Sequence, residues 1–155
     1  VDAKVMFVGE APGYNEDRTG KPFCGASGKI LDQLLDSAEL KREDVFITSI
    51  LKCRPPENRN PKAEEIASCS EYLDRQIDMI KPKIICCLGN FATAHIFKKF
   101  NLSDKIQGIS KIHGQVFSIN TLFGPEKIIP LYHPAVATYN INMLDALKKD
   151  FAALR

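Results

Sequence analysis

The stretch KVMFVGEAPGYNEDRTGKPFCGASGKILDQLL, residues 4 to 35, decides the fold. It opens on Val5-Met6-Phe7-Val8, a short continuous apolar run such as a fully buried strand presents. Glycines 9, 13, 20 and 25, prolines 12 and 22 and a group of acids then spread into a long polar loop. Apolar residues return at helical spacing with Ile30, Leu31, Leu34, Leu35 and Ala38. A strand, a glycine-rich loop and a helix make one step of an α/β fold.

Further along, the step recurs. Residues 45–50 read as a second strand. Residues 62–80 read as a helix with Asn60 as its N-cap and Pro61 at its first position, closed before Pro82. Residues 84–88 are a third strand, and Gly89-Asn90 turns into a short helix reaching about Lys99. Residues 112–119 form a less regular piece, followed by a turn around Gly124-Pro125, a fourth strand at 128–131 and a closing amphipathic helix at 143–154. Strands separated by helices require parallel crossovers. The expectation is a three-layer α/β/α sandwich around a central, mainly parallel, four-stranded sheet.

The chain of 155 residues is 45% hydrophobic and 26% charged, the composition of one globular domain with a sizeable core. No apolar run approaches the roughly 20 residues of a membrane helix. A formal charge of +2 does not announce nucleic acid, so any basic face must come from local clustering. Residues 1–155 are expected to be a single domain. Because the chain opens on Val1 and reaches strand-like sequence at once, a short natural N-terminal segment is expected to precede it.

Five cysteines without a signal-peptide pattern argue for a reducing compartment. Cys86 and Cys87 lie in an apolar strand and read as small core residues. Cys53 and Cys69 stand in polar surroundings on either side of a proline-rich loop. Two thiolates are half of a four-cysteine ligand set, so their spacing alone is weak evidence for metal.

In an open parallel sheet, ligands collect at the carboxyl ends of the strands. The segments following those ends hold Glu10, Glu16, Asp17, Ser49, Cys53, Arg54, Asn58, Arg59 and His133. Topology alone thus brings carboxylates, a histidine and basic groups to one rim. Each has a plainer reading: a Gly-Pro loop is often only a loop, Phe23 a core anchor, and a histidine before proline a surface turn residue. GEAPG is also neither a P-loop nor a dinucleotide fingerprint. His95 and His113 read as ordinary helix-face and loop histidines.

Taken in order, GEAPG, GKPFCG, KCRPPENRNP and YHPA closely resemble the family-4 uracil-DNA glycosylases, the thermostable iron–sulfur members of their superfamily. The resemblance runs from about Lys4 into the last helix and is nearest to archaeal members. It implies a base-excision repair enzyme that hydrolyses the N-glycosidic bond of a flipped deoxyuridine. It implies that Glu10, Ala11, Pro12, Phe23, Ser49 and His133 contact the nucleotide, Phe23 by stacking. His133 would donate to the uracil oxygen, and Glu10 or Glu16 would stabilise the sugar cation or position water. The better-known uracil glycosylases carry an aspartate where Ala11 stands.

The family normally places an asparagine at the end of the second strand, where this chain has Ser49, whose hydroxyl makes fewer contacts. The family also implies a [4Fe–4S] cluster with Cys53 and Cys69 as two ligands and an upstream Cys-x-x-Cys pair as the others. This sequence contains no such pair. The pair is expected before residue 1; otherwise the cluster is absent and the two thiols are free or joined. By position, Arg54, Asn58 and Arg59 are expected on DNA, with Val136 or Ala137 as the wedge. The implied partner is uracil-containing DNA, single- or double-stranded, with a sliding clamp an open possibility. A cytoplasmic, prokaryotic monomer is expected. Two other readings stand beside this one: a superfamily relative with altered base specificity or with DNA binding alone, and a small nucleotide-binding α/β module.

Overall fold

A computed structural model describes residues 2–155. The first strand, β1 (Val5–Gly9), is buried along its whole length, as its unbroken apolar run requires. It lies between β2 (Val45–Ser49) and β3 (Ile84–Leu88), parallel to both. The third neighbour in line is β5 (Lys127–Leu131), parallel to β3. At the far edge, β4 (Phe117–Ser118) runs antiparallel to β5, so the sheet has five strands in the order β2-β1-β3-β5-β4. The expectation of four strands is corrected by this two-residue edge. The carbonyl of Pro130 faces the β4 side, where it accepts from the Gly114 amide at 2.8 Å. The proline's missing N–H faces the same side, beyond the end of the short β4 ladder.

Helices cover both faces, and a short one, α5 (Ile109–Ile112), packs beside β5. On one face, α2 (Ala26–Ser37) and α7 (Leu144–Phe151) close over Phe7, Leu31, Leu34, Leu35 and Phe151, with the Phe7 and Phe151 rings stacked at 5.7 Å. On the other, α3 (Ala63–Ile80) and α4 (Asn90–Lys99) bury Met6, Val8, Leu73, Ile77, Ile96 and Phe97. Cys86 and Cys87 are fully buried, one in each core, as expected of small apolar residues. Burial pushes both thiols well above their ordinary range.

Two local expectations need correction. The segment after β1 is not all loop: α1 (Tyr14–Thr19) is a six-residue helix with no buried side chain, so it carries no apolar periodicity to be read. The long helix begins at Ala63 with Lys62 as its cap, not at Asn60. Pro61 is buried in extended chain instead, and the Glu65 carboxylate accepts from the Lys62 amide at 3.0 Å, closing the helix from within.

Candidate active site

A cavity of about 720 Å³ opens at the carboxyl ends of β1 and β2. Glu10, Ala11, Pro12, Glu16, Phe23, Ser49 and His133 all line it, from segments far apart in the chain. His133 stands two residues beyond the end of β5. The Ala135 amide donates to His133 Nδ1 at 3.1 Å, so Nδ1 is an acceptor and the ring proton sits on Nε2. Burial lowers the pKa of this imidazole, with the nearby Glu16 charge opposing the shift. The site therefore holds a neutral histidine with its N–H on the nitrogen opposite the backbone contact.

Phe23 lies beside it, ring centroids 5.5 Å apart and tilted by 30°. Holding Phe23 there takes an unusual backbone, with φ of 48° in the left-handed region. Its ring lies over Gly9, where a Cβ would stand 3.0 Å from Phe23 Cε2. A Cβ at Gly28 would fall 1.9 Å from the Phe23 carbonyl oxygen, so only glycine lets α2 pass under this loop. Arg42 clamps the loop from outside. Its guanidinium donates to the carbonyls of Pro22 and Phe23, the latter at 2.8 Å, and pairs with Asp32 at 2.7 Å.

The two acids differ in their commitments. Glu16 accepts from the Gly13 amide through Oε2 and from the Cys24 amide through Oε1, both at 3.1 Å. Its carboxylate staples the beginning of the loop to the Phe23 segment. The Glu10 carboxylate accepts no hydrogen bond among the described residues, and burial raises its pKa. One acid is therefore structural in geometry and the other is free in the cavity.

At the mouth of β2, Ser49 stands opposite Gly9 in the ladder. Its hydroxyl donates to the Leu51 carbonyl, which leaves only its lone pairs for a ligand. Lys52 donates to Thr48 Oγ1 at 2.7 Å, to the Ser49 carbonyl at 2.6 Å and to Gln76 Oε1 at 2.8 Å, tying the strand end to α3. Its partial burial lowers its pKa to about 8, the nearby Cys69 opposing the shift.

The whole chain, residues 1–155, matches the profile of the uracil DNA glycosylase superfamily. It is 47% identical to a type-4 uracil-DNA glycosylase of Sulfurisphaera tokodaii over 154 residues, covering 99% of this chain and 69% of that protein. It is 46% identical over 149 residues to the type-4 enzyme of Archaeoglobus fulgidus, covering 96% of this chain and 74% of the relative. A type-4 enzyme of Thermotoga maritima is 40% identical over 140 residues, covering 90% and 69%. The chain belongs to the uracil DNA glycosylase superfamily.

Within this glycosylase scaffold, the residues expected on DNA fall into three groups. Asn58 and Arg59 line the cavity and Arg54 does not. Arg59 is spoken for, since its two terminal nitrogens hold Glu65 at 2.6 and 3.2 Å. Ala137 cannot be a wedge: it is 3% exposed and packed into the core on the buried side of α6 (Val136–Tyr139). Val136 packs against the same core. The exposed residue of α6 at the cavity lip is Tyr139, 89% accessible. Sequence reading missed it because a four-residue helix shows no face until it is seated.

Cys53 and Cys69 do come together, on the wall of a separate hollow of about 270 Å³ beside Glu64 and Ser68. Among the described residues no group of three His, Cys, Asp or Glu side chains is placed to hold a metal. Two soft thiol donors facing one hollow fit half of a cluster's ligand set. Cys24 lies elsewhere, 3.2 Å from the Thr19 hydroxyl.

Proposed function

We propose that this protein is a DNA glycosylase that hydrolyses the N-glycosidic bond of a flipped deoxyuridine, releasing uracil and leaving an abasic site. The observation that carries the reading is the neutral His133, its proton on Nε2, set against Phe23 in a cavity that also holds the free Glu10. Cleavage of the bond from C1′ to N1 leaves positive charge on the sugar and negative charge on the departing base. A preorganised donor suits the base and a carboxylate suits the sugar.

In this reading Phe23 stacks on the extruded uracil and His133 Nε2–H donates to the uracil oxygen on which charge develops. Glu10 faces the sugar cation and the attacking water. Glu16 acts through geometry, by holding the loop that carries Phe23. Water adds its oxygen to C1′ and gives up one proton, and the freed uracil anion takes up one proton, so hydrolysis balances as one water consumed. Both cores pack against one sheet, which supports residues 1–155 as a single domain.

The family's [4Fe–4S] group would be held here by Cys53 and Cys69 as two of its ligands. Hydrolysis transfers no electrons, so the group would supply a covalent clip between the proline-rich loop and α3 and no redox chemistry. No described helix is long and apolar enough to cross a membrane. We place the protein's work on DNA in the cytoplasm of a prokaryotic cell.

The test is uracil release from single- and double-stranded oligonucleotides carrying one uracil, with hypoxanthine and xanthine substrates alongside. Uracil should be released, and His133→Ala should slow single-turnover cleavage by ~10²–10³, the usual loss for one preorganised donor. Cleavage of another base in preference to uracil would instead favour the altered-specificity reading, for which Ser49 is the structural support.

A further inference from the structure

We infer that Tyr14, Arg18 and Arg54 form a clamp for one backbone phosphate of the DNA strand at the lip of the cavity. The inference rests on the reading of the chain as a DNA glycosylase. Arg18 lies one helical turn after Tyr14 on α1, and its Cζ is 5.8 Å from the Tyr14 ring centroid. Arg54 reaches the same ring from the proline-rich loop after β2, its Cζ at 5.3 Å. Both distances are within the range of cation–π attraction. A second interaction holds Arg54 in place, from its Nε to Asn58 Oδ1 at 2.7 Å.

Two features make this more than a pair of surface charges. Neither guanidinium is in an ion pair among the described residues, although acids are close by in sequence. Two like charges drawn to one ring have no carboxylate to offset them, and an anion bound at the cluster would do so. Tyr14 is also 58% exposed, so the cluster stands open to a large ligand.

Position identifies the anion. Asp17 on α1 and Asn58 beside Arg54 both line the cavity, so the cluster sits where the two loops meet at its rim. A flipped nucleotide enters base first and leaves its flanking phosphates at that rim. Glu10, Glu16 and Asp17 line the cavity with Lys21, Lys52 and Arg59, but Lys52 is committed to Thr48, Ser49 and Gln76 and Arg59 to Glu65, so of the lining cations only Lys21 has no such partner to keep it from those phosphates. The unpaired guanidiniums of Arg18 and Arg54 supply the compensating charge. Planar guanidiniums suit phosphate oxygens in two-point contact.

Binding of a uracil-free single-stranded oligonucleotide, followed by fluorescence anisotropy across a salt series, reads the clamp without calling on catalysis. Releasing one neutralised phosphate should lower the slope of log K against log salt by about 0.7 on single strands. The Arg18→Gln/Arg54→Gln double variant should show the whole of that drop and each single variant a part of it, whereas Lys149→Gln, which removes one charge from the exposed face of α7, should show none. Tyr14→Leu removes no charge yet should weaken binding, because both guanidiniums lose their platform. Melting curves establish that each variant is folded. A series of oligonucleotides with one neutral methylphosphonate each then locates the phosphate: one position should weaken the wild type and leave the Arg18→Gln/Arg54→Gln double variant unaffected. Slopes unchanged in both arginine variants, or lowered equally by Lys149→Gln, would overturn the clamp. So would a methylphosphonate series in which wild type and the double variant respond alike. A wild type that binds with the clamp signature but releases no uracil would leave the clamp standing and remove the glycosylase reading.

Discussion

Three side chains in the cavity carry separable predictions. Burial holds the Glu10 carboxyl above its ordinary value of 4.5, and the proposed role needs it ionised. The acid limb of the single-turnover rate should therefore lie above pH 4.5, and Glu10→Gln should be slow with that limb removed. A limb at an ordinary carboxylate value would take Glu10 out of the role. His133 has the opposite sign for stability. Its folded pKa is lowered, so the unfolded chain binds the extra proton first, near the ordinary 6.5. The stability tied to its neutral form is present above 6.5 and is lost as pH falls towards the folded value; His133→Asn should flatten that part of the melting profile. Ser49 is the third. Its proton is given to Leu51, so Ser49→Asn exchanges a local bond for an amide that both donates and accepts in the cavity. Uracil cleavage should rise by up to roughly tenfold, the equivalent of about 1.4 kcal/mol, with sharper rejection of thymine and cytosine. Kinetics unchanged on every base would show that position 49 does not read the substrate.

At the scale of elements, the strands were legible and the devices that hold the loops were not. Val5 to Val8 and Ile84 to Leu88 are apolar runs that only a buried strand explains. By contrast, α1 buries nothing and β4 has two residues, so neither leaves a period in the sequence. The staple from Glu16 to Cys24 and the clamp from Arg42 to Phe23 span 8 and 19 positions, and no local pattern announces either. Glu16 was legible as an acid at the right rim, but its two backbone partners became visible only in three dimensions. These devices predict a coupling. Phe23→Ala should weaken capture of the flipped base by ~1–3 kcal/mol, the value of one base–aromatic stack. Arg42→Ala releases the carbonyls of Pro22 and Phe23 and lets a strained backbone relax, so it should raise KM more than it lowers kcat. The double variant should be little worse than Phe23→Ala alone, because both remove one interaction. Additive losses in that cycle would mean that Arg42 serves the fold and not the stack. Tyr139→Ala belongs to the same scale: if the exposed ring of α6 props the gap left by the flipped base, its loss should cost more on duplex than on single-stranded uracil DNA.

For the molecule as a whole, alternation of strand and helix was enough to derive parallel crossovers and to gather the chemistry-bearing residues at the carboxyl ends of the strands. Chain order alone did not specify which strand lies at each edge, and that is where the cysteines matter. β2 is an edge strand, held on one side only by β1. The chain leaving it must cross to α3 through a loop in which Glu57 and Asn58 both take positive φ. Lys52 braces the near end of that loop and Glu65 the far end. Cys53 and Cys69 face the hollow between them, so a cluster bound there would cross-link the exposed edge of the sheet to the helix beside it. Such a link acts mainly on the unfolded chain, by shortening the loop that must be ordered. The native full-length protein should therefore be yellow-brown with bound iron, and Cys53→Ser or Cys69→Ser should lose iron and melt earlier. Because Ser49 and Lys52 lie on the tethered segment, uracil cleavage in these variants should fail at lower temperature than in the wild type while retaining its pH profile. Iron-free, colourless native protein with wild-type melting in both variants would show that the two thiols meet without holding a cluster.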